Sequence, residues 1–285
     1  MAEKILYKVR GHEKFTLREG WMTKGLSAVV ENGTECFKTS NGPDILGVGS
    51  NMVKAIRYWM QACGMLVKEK NKEKLSDIAE LIYEKDRNFE DIYSIWLLHS
   101  NLVKNKGAAT IWNLFFNTIE SYEFSKSDVF NRMSVELFNY IGKHVSENSI
   151  KDDIDALVNM YSKSENKNDD PEDKTMSPFA SLGILKKDGE AYIKVQPDLN
   201  KIDRSLIMYE LSCMFKEEQA LSIDRIASGE NGLSKIYNLS RIAINKYLDE
   251  IETIGTIRVD RTAGLDMVYP VKLEEPMEIL KSYYK

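Results

Sequence analysis

The segment from Leu46 to Leu66 constrains the fold most strongly, because it joins a glycine turn, an amphipathic helix and a glycine stop. Leu-Gly-Val-Gly makes a tight turn, and the hydroxyl of Ser50 is predicted to cap the helix that follows. That helix is predicted to end at Gly64, where an apolar pair begins a strand. This order is typical of the second half of a winged helix-turn-helix.

The predicted helix has one apolar and one polar side. The apolar positions recur at helical spacing and are predicted to face a core: Met52, Val53, Ile56, Trp59, Met60 and Cys63. The opposite stripe carries polar residues, with Asn51 and Tyr58 beside it: Ser50, Lys54, Arg57 and Gln61. Lys and Arg contact phosphates or guanine, and Asn and Gln read adenine, so the stripe suits a major groove. The alternative is an ordinary polar surface on a winged helix that binds protein.

The distribution of charge favours DNA contact at this end of the chain. The whole protein has a net charge of −5, which is unusual for a nucleic-acid binder. Residues 1–70, however, contain 11 Lys/Arg and 7 Asp/Glu, so this part is basic. Positive charge near the predicted helix is what attraction to phosphates requires.

Composition indicates a soluble, cytoplasmic protein of two or three domains, with 285 residues of which 43% are hydrophobic. No apolar run is long enough to cross a bilayer, so we expect no membrane partner. The three cysteines and three histidines are widely scattered. They predict reduced thiols and no dedicated metal site of the His/Cys type.

The predicted fold class is mainly α with small β-hairpin wings, and winged helix-turn-helix domains at both ends are joined by a helical region. We predict a DNA-binding domain over 1–72 and a helical domain over 73–162. A linker over 163–176 then leads to a C-terminal winged-helix domain over 177–285 that includes a hairpin at 183–195. The Lys/Glu-rich run through Lys74 is predicted to be a solvated connection, and the apolar segment 108–117 a central buried helix.

The C-terminal copy leaves two interpretations open. Its predicted helix, Arg241–Ile254, turns a set of apolar residues inward: Ile244, Tyr247, Leu248, Ile251 and Ile254. Arg241 and Asn245, with Arg258 and Arg261 on the following hairpin, are candidate DNA contacts. Asp249 and Glu252 continue the same stripe, so protein docking is at least as good an interpretation.

A second dense segment, Arg10–Trp21, carries the candidate catalytic residues. Cleavage of a phosphodiester needs a group that activates water and groups that hold charge on the phosphate, usually with a divalent metal. His12 and Glu13 are candidates for the first role, and Arg10 and Arg18 for the second, with Mg²⁺ or Mn²⁺ as cofactor. The alternative is structural, with Glu13 pairing locally and Trp21 in the core, and no complete metal-nuclease motif is present.

Several blocks together resemble an uncharacterised bacterial family whose members occur in phage-defence islands beside Ssp- or Dnd-type genes for DNA sulfur modification. The blocks run through most of the chain: Gly11-His12-Glu13-x-Phe15-x-x-Arg18-x-Gly20-Trp21, Leu46-Gly47-Val48-Gly49-x-Asn51-Met52-Val53, Ile56-Arg57-Tyr58-Trp59, Trp96-Leu97-Leu98-His99, Ala109-Thr110-x-Trp112, Phe115-Phe116-Asn117, Ser177-Pro178-Phe179-Ala180-x-Leu182-Gly183 and Thr262-Ala263-Gly264-Leu265.

The resemblance implies a component of a DNA phosphorothioation pathway, in which sulfur replaces a non-bridging oxygen of the DNA backbone. It implies a cysteine desulfurase and a sulfurtransferase related to PAPS reductases as partners. Some such proteins are thought to nick DNA so that sulfur can be inserted. The leading hypothesis is therefore a DNA-binding defence protein with a candidate nicking endonuclease activity. A winged-helix transcriptional regulator and a protein-docking scaffold are the alternatives, and a homodimer stays open.

Overall fold

The computed structural model of the protein describes residues 5–70, 72–162, 176–264 and 266–285. The chain divides into two compact units, 1–195 and 196–285. Within the described residues, helices predominate and the strands form small antiparallel sheets, so the predicted class of mainly α with small β-hairpins is confirmed. None of the helices in these ranges has the length and apolar character needed to cross a bilayer.

The first unit opens with three helices followed by a hairpin. They are α1 (Trp21–Asn32), α2 (Gly42–Leu46), α3 (Ser50–Ala62), β1 (Leu66–Glu69) and β2 (Lys72–Leu75), with a 3-10 turn at Gly33–Phe37. The run through Lys74 is therefore a strand and not the predicted solvated connection. Leu66 pairs with Leu75 in the antiparallel register and both are buried, so the two leucines anchor the base of the hairpin.

The inner face of α3 fixes this region. Ile56, Trp59 and Met60 are at most 1% exposed, as the apolar periodicity predicts. Burial of such a side chain stabilises a fold by roughly 1.5–3 kcal/mol. With this face in the core, the opposite stripe of α3 is forced to the surface.

Five more helices follow, and one of them is apolar. They are α4 (Asp77–Lys85), α5 (Ile92–Lys104), α6 (Thr110–Thr118), α7 (Lys126–Ile141) and α8 (Glu147–Ser162). The apolar α6 packs against α5, α7 and α8. Every residue of α6 from Thr110 to Phe116 is buried, which confirms the predicted central helix. Asn113 is buried there, and its amide donates to the carbonyl of Val103 at 2.9 Å, which offsets the cost of removing the amide from water.

The first unit also contains the 183–195 hairpin, which we had assigned to the C-terminal domain. Strands β4 (Leu185–Asp188) and β5 (Ala191–Lys194) form it, and β5 pairs with β3 (Glu123–Phe124). This pairing holds the hairpin to the helical region, so the boundary between the units falls after Val195. Apart from Met176, the predicted linker over 163–176 lies outside the described residues.

The second unit follows the element order predicted for its end. It comprises α9 (Arg204–Phe215), β6 (Leu221–Ser222), α10 (Ile223–Ser228), α11 (Leu233–Tyr237), α12 (Arg241–Thr253), β7 (Ile257–Asp260), β8 (Met267–Pro270) and α13 (Pro276–Tyr283). Its sheet has the order β6-β8-β7. The predicted inward residues of α12 are buried except Ile254, which is 45% exposed because α12 ends at Thr253, before that position.

The two glycines of the turn before α3 differ in backbone conformation, and only one of these conformations favours glycine. Gly47 ends α2 with φ 62° and ψ 38°, the left-handed conformation that a Cβ disfavours. Gly49 has φ −63° and ψ 155°, which any residue adopts, and a Cβ there would meet no atom within 4 Å. Only the first glycine is therefore conformationally required.

We predict that Gly47→Ala lowers the free energy of unfolding by about 1–2 kcal/mol, because alanine must adopt a left-handed backbone. Gly49→Ala is the matched control and should cost at most about 0.5 kcal/mol, since its backbone conformation is unstrained and only the preference for glycine over alanine at the helix N-cap is lost. Urea denaturation of both variants measures the difference. Equal losses from the two substitutions would contradict this account of the turn.

Candidate nucleic-acid interface

The outward stripe of α3 is accessible to solvent. Ser50, Asn51, Lys54 and Arg57 are exposed and Gln61 is partly exposed, in the positions that the periodicity predicts. Ser50 does not cap the helix as expected, because Gly49 occupies the cap position and Ser50 is the first helical residue. Tyr58 also differs from expectation and is buried at 2% exposure.

A carboxylate on the hairpin orients two side chains of the stripe. Glu73 of β2 accepts from Arg57 Nε at 3.0 Å and from Gln61 Nε2 at 2.5 Å. Arg57 remains 46% exposed in this ion pair, whereas the Glu73 side chain is only 9% exposed. The pair therefore presents the guanidinium at the surface and keeps the carboxylate behind it. Among the described residues, the Lys54 ammonium has one hydrogen-bond acceptor, Asn51 Oδ1 at 3.5 Å, and it is exposed to a ligand.

The alternating lysines of the hairpin add positive charge beside α3. Residues 50–75 contain six Lys/Arg and two Asp/Glu. Glu69 pairs with Lys74 and Glu73 with Arg57, so both carboxylates are already engaged. An anionic backbone near α3 would therefore meet a surplus of cations.

The segment before α1 is fixed to α8 through His12. The imidazole is 0% exposed, and its Nε2 lies 2.8 Å from Asp153 Oδ1, which also accepts from the Arg10 backbone N–H at 2.8 Å. The Arg10 side chain pairs with Asp152 at 2.9 Å. The His12 ring stacks on Trp59 with 5.8 Å between centroids. These contacts join residues far apart in the chain.

This buried environment shifts the pKa values of Asp153 and Tyr58. Burial raises the pKa of its carboxyl, and the hydrogen bond from His12 offsets part of that rise. The Tyr58 hydroxyl, His12 Nδ1 and Asp153 Oδ2 are buried without a hydrogen-bond partner among the described residues. Burial also raises the pKa of Tyr58, and the negative charge of Asp153 contributes in the same direction.

His12 and Glu13 do not form the open catalytic pair that we considered. His12 is enclosed by the rings of Tyr58, Trp59 and Trp112, with no surface at which it meets water or a phosphodiester. Glu13 is exposed, at a left-handed backbone position with φ 51°. The described residues contain no group of three His, Cys, Asp or Glu side chains placed to hold a metal ion. The buried His12 side chain therefore connects the segment before α1 to Asp153 of α8.

The two arginines of this segment lie in different settings. Arg10 is 45% exposed and pairs with Asp152, so it remains partly available to a ligand. The Arg18 guanidinium lies over the rings of Phe15 and Trp21, 5.7 and 5.5 Å from their centroids. Trp21 is 6% exposed, which matches the structural alternative for that residue.

Carboxylates of the same unit pair with two of the four candidate contacts in the second unit. Arg241 pairs with Asp224 and Asp266, and Arg261 pairs with Asp249 at 2.7 Å while contacting Asn245 at 3.2 Å. Arg258 lies over the ring of Tyr269 at 4.7 Å. Residues 241–270 contain four Lys/Arg and five Asp/Glu. This surface lacks the surplus of cations found beside α3.

Two residues of the first unit were not identified from the sequence, Glu73 beside α3 and Asp153 beside His12. Glu73 belongs to the run that we interpreted as a connection, and an alternating Lys/Glu pattern was the signal for its strand. Asp153 is 141 positions from His12. Its neighbour Asp152 is also acidic, and only Asp153 falls on the buried face of α8, so the helical phase was the available signal.

The fold and this surface define a mainly helical protein that presents a polar, cationic helix beside a small β-hairpin. The chain belongs to the family described as "Protein of unknown function (DUF4007)", whose model matches residues 9–284. No curated protein matches the chain.

Solved structures with the same fold include two of SspB. An SspB crystal structure has a TM-score of 0.87 and 21% identity, with 99% of this chain and 89% of that chain covered. A magnesium ion-bound SspB crystal structure has a TM-score of 0.86 and 20% identity, with 97% and 88% covered. At these identities the similarity shows a shared fold.

We predict that Asp153→Ala lowers the free energy of unfolding by about 2 kcal/mol or more, because it leaves the His12 ring and the Arg10 N–H without their buried acceptor. The matched control is Asp155→Ala on the same helix, which removes an ion pair to Lys126 with both side chains about half exposed. That control should cost at most about 1 kcal/mol. Thermal or urea unfolding measures both variants. Similar decreases in the free energy of unfolding would show that the buried Asp153 contact stabilises the fold no more than an exposed ion pair does.

Proposed function

We propose that the protein is a DNA-binding component of a bacterial DNA phosphorothioation and phage-defence system, and that α3 contacts the DNA. The observation that carries this proposal is the outward stripe of α3, which holds two exposed cations and two amide side chains. The helix has the size to enter a major groove, and its side chains are of the types that contact phosphates and base edges there.

The order of elements supports a winged helix-turn-helix at each end. In the first unit α2 and α3 are joined by the glycine turn and followed by the β1–β2 hairpin. In the second unit α10, α11 and α12 precede the β7–β8 hairpin, and β6 adds a third strand. In proteins of this class the second helix lies in the major groove and the first crosses the backbone. In this proposal α3 is that second helix.

The proposed contacts divide by chemistry. Lys54 and Arg57 neutralise phosphates, while Asn51 and Gln61 reach base edges and Ser50 donates to the backbone at the start of the helix. Arg10 is proposed as a further phosphate contact of the duplex, and Arg18 as a phosphate contact away from the α3 surface. Arg241, Asn245, Arg258 and Arg261 are left out of the interface, because residues 241–270 contain four Lys/Arg and five Asp/Glu and so have no surplus of positive charge.

The pathway rests on two supports. The sequence blocks resemble a family found beside Ssp- or Dnd-type sulfur-modification genes, and two solved structures with the same fold are of SspB. A cysteine desulfurase and a PAPS-reductase-like sulfurtransferase are the proposed partners. Their genes beside this one would support the pathway, whereas an isolated gene with an operator footprint upstream would favour the transcriptional-regulator alternative.

Nicking is a second candidate activity, and one observation favours it: a solved structure with this fold is magnesium ion-bound SspB. The described residues of this chain do not bring together a set of ligands for such an ion. We therefore derive no metal-dependent step and assign no catalytic role to His12 or Glu13. Conversion of supercoiled plasmid to relaxed circle, with and without Mg²⁺ or Mn²⁺, tests the activity, and the absence of relaxed circle under every condition removes it.

Lys54→Glu is expected to weaken binding to duplex DNA by about tenfold or more, because a phosphate contact is replaced by repulsion. The control is Lys246→Glu, the same charge change at an exposed position of α12. Electrophoretic mobility shift at two salt concentrations measures both variants. Unchanged retention by the first variant, or an equal loss with the second, would remove α3 from the interface. Salt-insensitive or absent binding by the parent chain would favour the scaffold alternative.

Glu73→Gln is expected to strengthen duplex binding by a few-fold. Glu73 holds both Arg57 and Gln61 in the free protein. Neutralising it removes the carboxylate that competes with phosphate for the guanidinium, while the amide keeps the shape of the side chain. The same mobility-shift assay measures the gain. A loss of affinity would instead show that the ion pair is needed to position Arg57.

A further inference from the structure

A cleft of about 390 Å³ opens in the first unit beside the start of α1. Its volume lies in the range typical of small-molecule sites. Ile92 and Pro178 are half-buried and form an apolar floor in front of the buried side chains of Met22, Ile95 and Leu98, while Asn88 and Ser181 are exposed polar residues at the mouth. An apolar floor with a few polar groups at the rim is the usual composition of a ligand site.

Arg18 supplies a cation to this cleft. Its guanidinium is held over the rings of Phe15 and Trp21, and no carboxylate among the described residues forms an ion pair with it. Helix α1 begins at the same edge, without a side-chain cap and without an acidic residue in its first turn. The helix dipole adds positive potential there. One wall of the cleft therefore favours an anionic group.

Phe89, which lines the same cleft, has a strained backbone. Its φ of 57° is a left-handed conformation that a bulky residue rarely adopts. Asp86 fixes this turn, because its carboxylate accepts from the Glu90 N–H at 2.9 Å and its carbonyl accepts from the Phe89 N–H at 3.0 Å. Strained residues held by their surroundings cluster at ligand sites. The strain places an aromatic side chain at a fixed position in the cleft.

Two exposed carboxylates, Glu19 and Glu90, also line the cleft. They disfavour a ligand with more than one phosphate group, since Arg18 is the single cation among the described lining residues. Carboxylates accept from N–H groups such as the amino group of cytosine. A ligand that matches all of these lining residues has one phosphate, a flat ring system whose faces pack on apolar side chains, and amino groups on the edge of that ring system.

We propose that this cleft binds a nucleotide, with its phosphate at Arg18, its base over the apolar floor against Phe89, and the amino edge of the base toward Glu19 or Glu90. The nucleotide could come from a free nucleoside monophosphate or from an unpaired position of a DNA strand. The second source rests on the proposed DNA-binding function, and the first does not. Thymine lacks the exocyclic amino group and presents the O4 carbonyl oxygen in its place, which a carboxylate repels, so dTMP should bind more weakly than dCMP.

Isothermal titration of the full chain tests the cleft with dCMP, dTMP and inorganic phosphate as separate probes. We expect dCMP to bind at least tenfold more tightly than phosphate, and Arg18→Gln to weaken it at least tenfold. Ser181→Phe narrows the mouth without changing charge and should also abolish binding. Lys85→Gln, an exposed cation outside the cleft, is the control and should leave binding unchanged. Unfolding temperatures identify any variant that fails to fold.

The results distinguish a free nucleotide from an unpaired DNA base as the ligand, and they test the cleft separately from the α3 interface. If dCMP does not bind, but a short single-stranded oligonucleotide binds and its abasic version does not, the cleft takes an unpaired nucleotide of a DNA strand and not a free nucleotide. Equal affinity for phosphate and dCMP, or no effect of both Arg18→Gln and Ser181→Phe, overturns the nucleotide site. Duplex binding that depends on Lys54 is measured separately, so the α3 proposal can fail while the cleft stands, or the reverse.

Discussion

The Trp59 side chain is the contact on which the first unit depends. It is fully buried in α3, its Nε1 donates to the Phe15 carbonyl at 3.0 Å, and its ring packs against His12 and Trp112. The same residue thereby fixes the rotation of α3, the path of the 8–15 segment and the position of α6. With Trp59 inward, helical geometry places Lys54 and Arg57 outward. The surface that we propose for DNA is thus a consequence of the core.

The two units use similar element orders with different electrostatics. Beside α3, the described carboxylates are matched by lysines or lie behind an arginine, and cations remain in surplus. Beside α12, Arg241 and Arg261 are neutralised by acidic neighbours of their own unit. Attraction to phosphate depends on this local balance and not on the net charge of −5. A helix-hairpin pair is therefore insufficient by itself to identify a DNA contact.

Sequence periodicity predicted what depends on local geometry. The faces of α3, the buried α6 and the order of elements in the second unit all follow from spacing of apolar residues and from glycine stops. Contacts across long sequence separations were not predictable in this way. The burial of His12 depends on Asp153 and three aromatic rings, and the 183–195 hairpin joins the first unit through β3. Each of these pairings is a choice of tertiary partner that a single sequence leaves open.

The central claim is that α3 lies against DNA, and photo-crosslinking measures this most directly. Duplex DNA carrying a photoreactive base would be irradiated with the full chain, and the crosslinked peptides identified by mass spectrometry. The account predicts crosslinks within residues 50–61 that disappear when unlabelled duplex competes. Crosslinks confined to residues 241–261, with none on α3, would contradict it.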